Sequence, residues 1–192
     1  DLEMASIYSR NEDIHQSTAD FMGISRKISK NTNFAMIYGA TPQTLKETAK
    51  IPDLNKCAEL ITAWSQKFPG AWDWITQMQE VGLSQGWCDT IYGRKMRLPT
   101  DMGDEEIKRK AVNYKIQGSA ADIVKRAMIK CSDLDMRLQV HDELLFECTP
   151  RSVREVGKMV KDKMENALKL SVPVVVDLKM GPNWGEMKPV NL

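Results

Sequence analysis

Four residues near the start of the chain recur at every fourth position: Arg26, Lys30, Phe34 and Tyr38. On an α-helix each such step drifts by about 40°, so the four form a slanting row roughly 18 Å long. The two cations come first, at the end of the helix where free backbone N–H groups and the dipole already favour anions. A triphosphate suits that end, and a base and sugar could stack on Phe34. The plainer alternative is a solvated basic turn followed by core aromatics. A second constellation is Gln139-Val140-His141-Asp142-Glu143, with two adjacent carboxylates between apolar runs. Oxygen ligands on a tight hairpin suit a hard cation such as magnesium, though an Asp-Glu turn can also be merely soluble. A third is Arg109, Asn113 and Gln117, again four apart. Here the alternative is surface amides, with Ser119 and Asp122 forming a capping box.

These groups need elements to hold them. Helices are predicted over 13–22, 25–38, 54–68, 72–83, 105–130 and 152–168. Breaks are predicted at Gly39 to Pro42, at Pro52 and at Pro69-Gly70, with a bend near Gly118. The stretch Gly86 to Leu98 reads as a hairpin closing near Gly93, and Leu138 to Glu147 as two strands around a tight turn. Val172 to Leu178 reads as a further strand. Helices and hairpins follow one another without regular strand–helix alternation, so the fold class is α+β with an antiparallel sheet.

The chain has 192 residues, 42% hydrophobic and 28% charged, an ordinary globular composition. Its net charge of +1 gives no global basic field, so charge has to be read locally. Residues 26–50 carry Arg26, Lys27, Lys30, Lys46 and Lys50 against Glu47, a local net of +4. Cys57, Cys88, Cys131 and Cys148 are widely spaced, which suits a reducing compartment better than a disulfide framework. No apolar run approaches the roughly 20 residues of a membrane span, and no signal peptide opens the chain. The expected location is cytoplasmic, the host cytoplasm if a phage encodes the chain.

The local sequences carry a resemblance. Arg26-Lys27-Ile28-Ser29-Lys30-Asn31-Thr32-Asn33-Phe34-Ala35-Met36-Ile37-Tyr38-Gly39 closely resembles the fingers-helix motif of DNA polymerase I-type (family A) DNA polymerases. Asp13-Ile14-His15 resembles the family's Asp-Ile-His element. Gln139 to Glu143 resembles its catalytic palm motif, and Gln117-Gly118-Ser119-Ala120-Ala121-Asp122 its Gln-Gly-Thr/Ser-Ala-Ala-Asp segment. Gly86 to Pro99 and the closing Gly181-Pro182-Asn183-Trp184 complete the order, so the resemblance covers essentially the whole chain.

The resemblance implies roles. Arg26, Lys30 and His15 contact the triphosphate, and Lys30 also protonates the leaving pyrophosphate. Phe34 packs on the nucleotide and Tyr38 guards the template position. Asp142 is a Mg2+ ligand with Glu143 as nearby support, and His141 lies near the primer end. Asn113 and Gln117 reach the minor groove of the new pair, where acceptors on every base pair let a donor check pairing without reading sequence. Arg94, Arg97 and Arg109 contact DNA. Lys115 stands where the family often has Pro, which implies a straighter helix. The short link from Gly23 to Arg26 looks more like phage enzymes. The implied architecture is a right-hand polymerase with fingers over 1–85 and hairpin, long helix and palm over 86–192.

The family's earlier palm Asp and its Ser-Gln-x-Glu-type segment have no match before Asp13. Two metal ions held in phosphoryl transfer need more than one Asp. The chain is therefore expected to act on dNTP and primer–template DNA together with a chain or segment that supplies the first catalytic Asp and the thumb, and to be inactive by itself. Two other readings are a phage-type single-subunit RNA polymerase, disfavoured by Glu143 where those enzymes usually have Ser, and a non-catalytic DNA-binding subunit.

Overall fold

Helix starts in this chain are set by small polar residues that accept from the first free backbone N–H groups. Asp1, Asp13, Ser25, Thr41 and Asp53 cap five consecutive helices in this way. The computed structural model describes residues 1–190. Helices α1 (Leu2–Ser9), α2 (Ile14–Met22), α3 (Arg26–Ile37), α4 (Pro42–Ala49), α5 (Leu54–Lys67) and α6 (Pro69–Gln85) precede any strand. A hairpin of β1 (Trp87–Asp89) and β2 (Lys95–Arg97) follows, then the long α7 (Asp104–Lys130). After it come β3 (Met136–Val140), β4 (Glu143–Phe146), α8 (Val153–Glu165), β5 (Leu178–Met180), a 3₁₀ turn at Trp184–Glu186 and β6 (Lys188–Val190). The strands pair antiparallel as β1–β2, β3–β4 and β5–β6, so the α+β class holds.

The structure departs from the sequence reading in three places. Pro42 and Pro69, read as breaks, stand in the first turn of α4 and α6, where proline's missing N–H costs nothing. Helix α4 was therefore not foreseen. Helix α7 runs unbroken through Gly118. The β-branched run Val172 to Asp177 is not a strand, and the ladder begins only at Leu178. Pro173 has no N–H to give a ladder, and the Val176 N–H goes to the Glu165 carboxylate at 3.0 Å.

The chain divides into two compact units, Asp1–Ser119 and the described residues from Ala120 onward, with α7 beginning in the first and ending in the second. The first unit holds two apolar clusters. One gathers Ile7, Ile14, Met36, Trp64, Phe68, Ile75 and Val112, with the Trp64 and Phe68 rings edge to face at 5.4 Å. The other packs Leu45, Ala49, Ile51, Cys57 and Leu60 against Ala35 and Ala40. Both clusters lie against α3, so the buried side of that helix is fixed from two directions. In the second unit Arg137 bridges Asp135 at 2.7 Å and Glu147 at 3.0 Å across the base of the β3–β4 hairpin, and Lys163 of α8 pairs with Asp133.

Two glycines mark close approaches in the first unit. A Cβ at Gly82 would stand 2.4 Å from Ala111 Cβ, where α6 crosses α7. A Cβ at Gly118 would stand 2.2 Å from Met96 Sδ, beneath the β1–β2 hairpin. The methionine can swing aside, although Thr90 Cγ2 would still stand 2.9 Å away, and at Gly82 the alanine has no room to move. Gly82→Ala is therefore expected to destabilise the fold by about 1–3 kcal/mol through overpacking, despite alanine's better helix propensity. A lower urea midpoint at unchanged slope checks this, and an unchanged or higher midpoint would show that the crossing has slack.

Candidate functional site

Helix α3 has one buried and one exposed side. Ser29, Thr32, Asn33 and Met36 are buried, whereas Arg26, Lys30 and Phe34 face solvent. Phe34 is 47% exposed, so it is not a core aromatic. A large ring left in water beside cations has an open face on which a planar partner can stack. Lys30 Nζ lies 5.9 Å from the Phe34 ring centroid, and the His15 ring lies 5.6 Å from it on the other element, α2. The fold thus brings His15, Lys30 and Phe34 together across two helices, with Arg26 at the head of the row.

Arg26 arrives already paired. Its Nε and Nη2 donate to Asp13 Oδ2 at 2.7 and 2.6 Å. Asp13 also caps α2, accepting from the His15 and Gln16 amides at 2.8 and 3.2 Å. The guanidinium hydrogen bond, opposed by some burial and helped by the two amides, holds the Asp13 carboxyl below its usual range. A surface pair of this kind contributes little stability. Its effect is to aim the guanidinium, and an incoming anion would compete with Asp13 for it.

Burial pushes the His15 imidazole pKa below its ordinary value. The nearby Arg26 and Lys30 charges lower it too, and Asp13 partly opposes them. Ser29 Oγ donates to the His15 carbonyl at 2.7 Å, which ties the start of α2 to α3. His15 Nδ1 lies 3.0 Å from Asn33 Nδ2. Asn33 was not singled out in the sequence. Its signal was a polar residue on the buried side of an otherwise amphipathic helix.

Tyr38 ends α3, and its hydroxyl accepts a hydrogen bond from Gln117 Nε2 of α7 at 2.7 Å. Beside it a cleft of about 240 Å³ is lined by Phe34, Tyr38, Thr44, Thr48 and Arg109, among others. Arg109 and Gln117 of α7 therefore meet the end of the α3 row. Asn113 lies between them on α7 and is partly exposed.

The hairpin is strapped to α7. Lys115 Nζ meets Asp89 at 2.6 Å, the Ile91 N–H donates to Ser119 Oγ at 2.9 Å, and Arg94 Nη2 donates to the Gly118 carbonyl at 3.3 Å. Lys115, standing where the resemblance has Pro, thus holds the hairpin. Ser119 lies inside α7 and gives its proton to the Lys115 carbonyl at 2.6 Å, so the capping-box alternative does not hold. Arg97 ends β2 and is exposed.

In the second unit, His141 and Asp142 are the two turn residues between the paired Val140 and Glu143. His141 takes φ 55°, an uncommon conformation that histidine tolerates better than most side chains, and its carbonyl accepts from Gln139 Nε2 at 2.6 Å. Asp142 is exposed at the apex, and Glu143 lies 3.9 Å from Lys179 Nζ. Among the described residues no three His, Cys, Asp or Glu side chains gather to hold a metal ion. Asp142 can serve as one oxygen ligand, but this set alone does not fit a two-ion centre. No helix among the described residues is long and apolar enough to cross a membrane.

The model of DNA polymerase family A matches residues 1–186. The thermostable DNA polymerase I of Thermus caldophilus is 32% identical over 205 residues, covering 96% of this chain and 24% of that protein. DNA polymerase I of Deinococcus radiodurans is 33% identical over 205 residues, covering 96% and 21%. The polymerase domain of Pol1 from M. smegmatis, solved in complex with DNA primer-template and dNTP, superposes with a TM-score of 0.79 at 30% identity, covering 90% of this chain and 34% of that one. The chain thus spans about a quarter or less of the length of these curated relatives. With the family model matched from its first residue to Glu186, the chain belongs to DNA polymerase family A.

Proposed function

We propose that this chain supplies the nucleotide-binding helix and one catalytic carboxylate for transfer of dNMP from dNTP to a primer 3′ end, directed by a DNA template. The carrying observation is the exposed face of α2 and α3, where His15, Arg26 and Lys30 surround the uncovered ring of Phe34. Lys30 and Arg26 hold the triphosphate, with Lys30 placed to give a proton to the leaving pyrophosphate. Phe34 stacks on the nucleotide. Tyr38, oriented by Gln117, guards the template side, and Asn113 and Gln117 read the minor groove. Arg94, Arg97 and Arg109 position DNA, contacts that fix register rather than sequence. Residues 1–85 serve as fingers, and 86–192 as hairpin, long helix and palm.

Asp142 contributes one ligand to Mg2+, Glu143 supports it, and His141 lies near the primer end. With that cation bound, the chemistry supplied would be stabilisation of charge on the transferring phosphoryl group. A second carboxylate must come from residues outside these 192, wherever they are encoded, and the partner segment is part of the proposal. The M. smegmatis neighbour was solved with primer-template and dNTP, which supports the same partners here.

The test is a pair of substitutions in the assembled polymerase. Lys30→Ala or Arg26→Ala is expected to weaken dNTP use roughly ten- to a hundredfold, since each charge-assisted contact contributes about 1.5–3 kcal/mol. Affinity for primer–template should hardly change. Equal losses for DNA and dNTP would identify α3 as a duplex-binding face and end this reading.

A further inference from the structure

We infer that Asn33 is a positioning residue for His15: its buried carboxamide holds the imidazole as the Nε2–H tautomer, so that His15 offers a neutral N–H donor to a phosphate on the exposed side of α3. The phosphate half rests on the nucleotide-binding reading above, whereas the tautomer does not.

The hydrogen positions follow from what each partner is able to do. The Trp64 indole N–H can only donate, and it lies 2.9 Å from Asn33 Oδ1. That fixes which way the amide faces, a choice otherwise left open by oxygen and nitrogen looking alike. Asn33 Nδ2 then directs its two hydrogens at Thr18 Oγ1, 3.2 Å away, and at His15 Nδ1, 3.0 Å away. Thr18 spends its own hydroxyl proton on the Ile14 carbonyl at 2.7 Å, so toward Asn33 it is an acceptor. Asn33, Thr18 and Trp64 are 3%, 0% and 0% exposed, so water has no access to rearrange these bonds. Every bond in the chain Trp64–Asn33–His15 thus runs in one direction, and His15 Nδ1 must accept.

A neutral imidazole whose Nδ1 holds a lone pair carries its proton on Nε2. The imidazolium would set an Nδ1 proton against the Asn33 Nδ2 protons, so the network opposes protonation. The charged groups around the ring are Asp13 on its own helix and Arg26 and Lys30 on α3. With burial, their balance lowers the pKa. From α5 the network receives the neutral Trp64 indole, and no α5 residue is among the charges acting on the ring. Beside two cations, a neutral donor adds a phosphate hydrogen bond without a third like charge.

The chain has only two histidines, His15 and His141, so ring-nitrogen spectra of protein labelled with ¹⁵N-histidine are simple to assign, with His141→Gln as the reference. At neutral pH the His15 spectrum is expected to show a protonated Nε2 and a bare Nδ1. A protonated Nδ1, averaged tautomers, or imidazolium at pH 7 would overturn the inference while leaving the polymerase reading untouched. Asn33→Asp, which replaces the donor by an acceptor of the same shape, should move the proton to Nδ1 and raise the titration above that of the wild type. If that variant does not fold, the wild-type spectrum still decides. In the assembled polymerase with primer–template and dTTP, His15→Ala is expected to cost about tenfold in dTTP affinity. His15→Gln, whose amide N–H lies near the Nε2 position, should recover most of that loss, and His15→Asn should not. Equal affinity in all three variants and the wild type would overturn the phosphate half. A Lys30→Ala enzyme with unchanged dTTP affinity would instead sink the nucleotide-binding reading.

Discussion

Asp142→Asn is expected to abolish primer extension in the assembled polymerase, by roughly a thousandfold or more, while primer–template binding stays near the wild-type level. The substitution is nearly isosteric and falls at the exposed apex of the β3–β4 hairpin, so the fold has little reason to respond. What changes is the charge offered to a hard cation. A metal clamp contributes several kcal/mol of transition-state stabilisation, and each ~1.4 kcal/mol is a factor of ten. The same logic bears on the 192-residue chain by itself, which brings Asp142 but no cluster of three possible ligands among its described residues. The purified chain should not extend primers until a segment supplying the other carboxylate is added. Robust extension by the chain alone would end the requirement for a partner carboxylate, and an Asp142→Asn enzyme within tenfold of wild type would remove Asp142 from the metal site.

Phe34→Tyr is expected to relax discrimination against dideoxynucleotides by ~10²–10⁴, with little cost to ordinary incorporation, because a site that gains or loses a required polar partner discriminates by several orders of magnitude. The structure supplies the geometry for this. The ring is 47% exposed and flanked by Lys30 and His15, so it can lie against a sugar without repacking any core. A normal dNTP has a 3′-OH that can bond within its own triphosphate and fill the space beside the ring. A dideoxynucleotide lacks it, and a phenyl ring offers no replacement, whereas a tyrosine hydroxyl does. Chain termination at matched dNTP and ddNTP concentrations, wild type beside mutant, measures the effect. Equal termination would mean that Phe34 does not face the sugar.

Much of this site was legible in the sequence because its spacing is helical. Arg26, Lys30 and Phe34 lie four apart and share an exposed face, and the period that placed them is intrinsic to the α-helix. The β3–β4 turn was legible for a similar local reason, since a polar His-Asp-Glu centre between apolar runs has few other ways to fold. Features that depend on partners far along the chain were not legible. Asn33 looked like one more polar helix residue, because its role depends on Trp64, 31 residues away. Asp13 read as part of a motif, yet it also holds Arg26 from 13 residues upstream. Helix α4, which lines the cleft beside Phe34 through Thr44 and Thr48, was hidden by Pro42, since proline marks a helix start as readily as a stop. The valine-rich run after Leu170 showed the opposite failure. Strand propensity was high, but a strand exists only where a neighbour takes its hydrogen bonds, and the Val176 N–H went to Glu165 instead.

The most direct test of the nucleotide-binding face is to locate the nucleotide itself. The assembled polymerase, with primer–template present, would be irradiated with an azido-dATP and its labelled peptides identified by mass spectrometry. The expected result is label on the peptide containing Lys30 to Tyr38 or on the neighbouring cleft residues Thr44 and Thr48, chased by unlabelled dATP and lost in Lys30→Ala. Label confined to other elements, with an intensity indifferent to Lys30→Ala, would contradict the assignment of α3 to the incoming nucleotide.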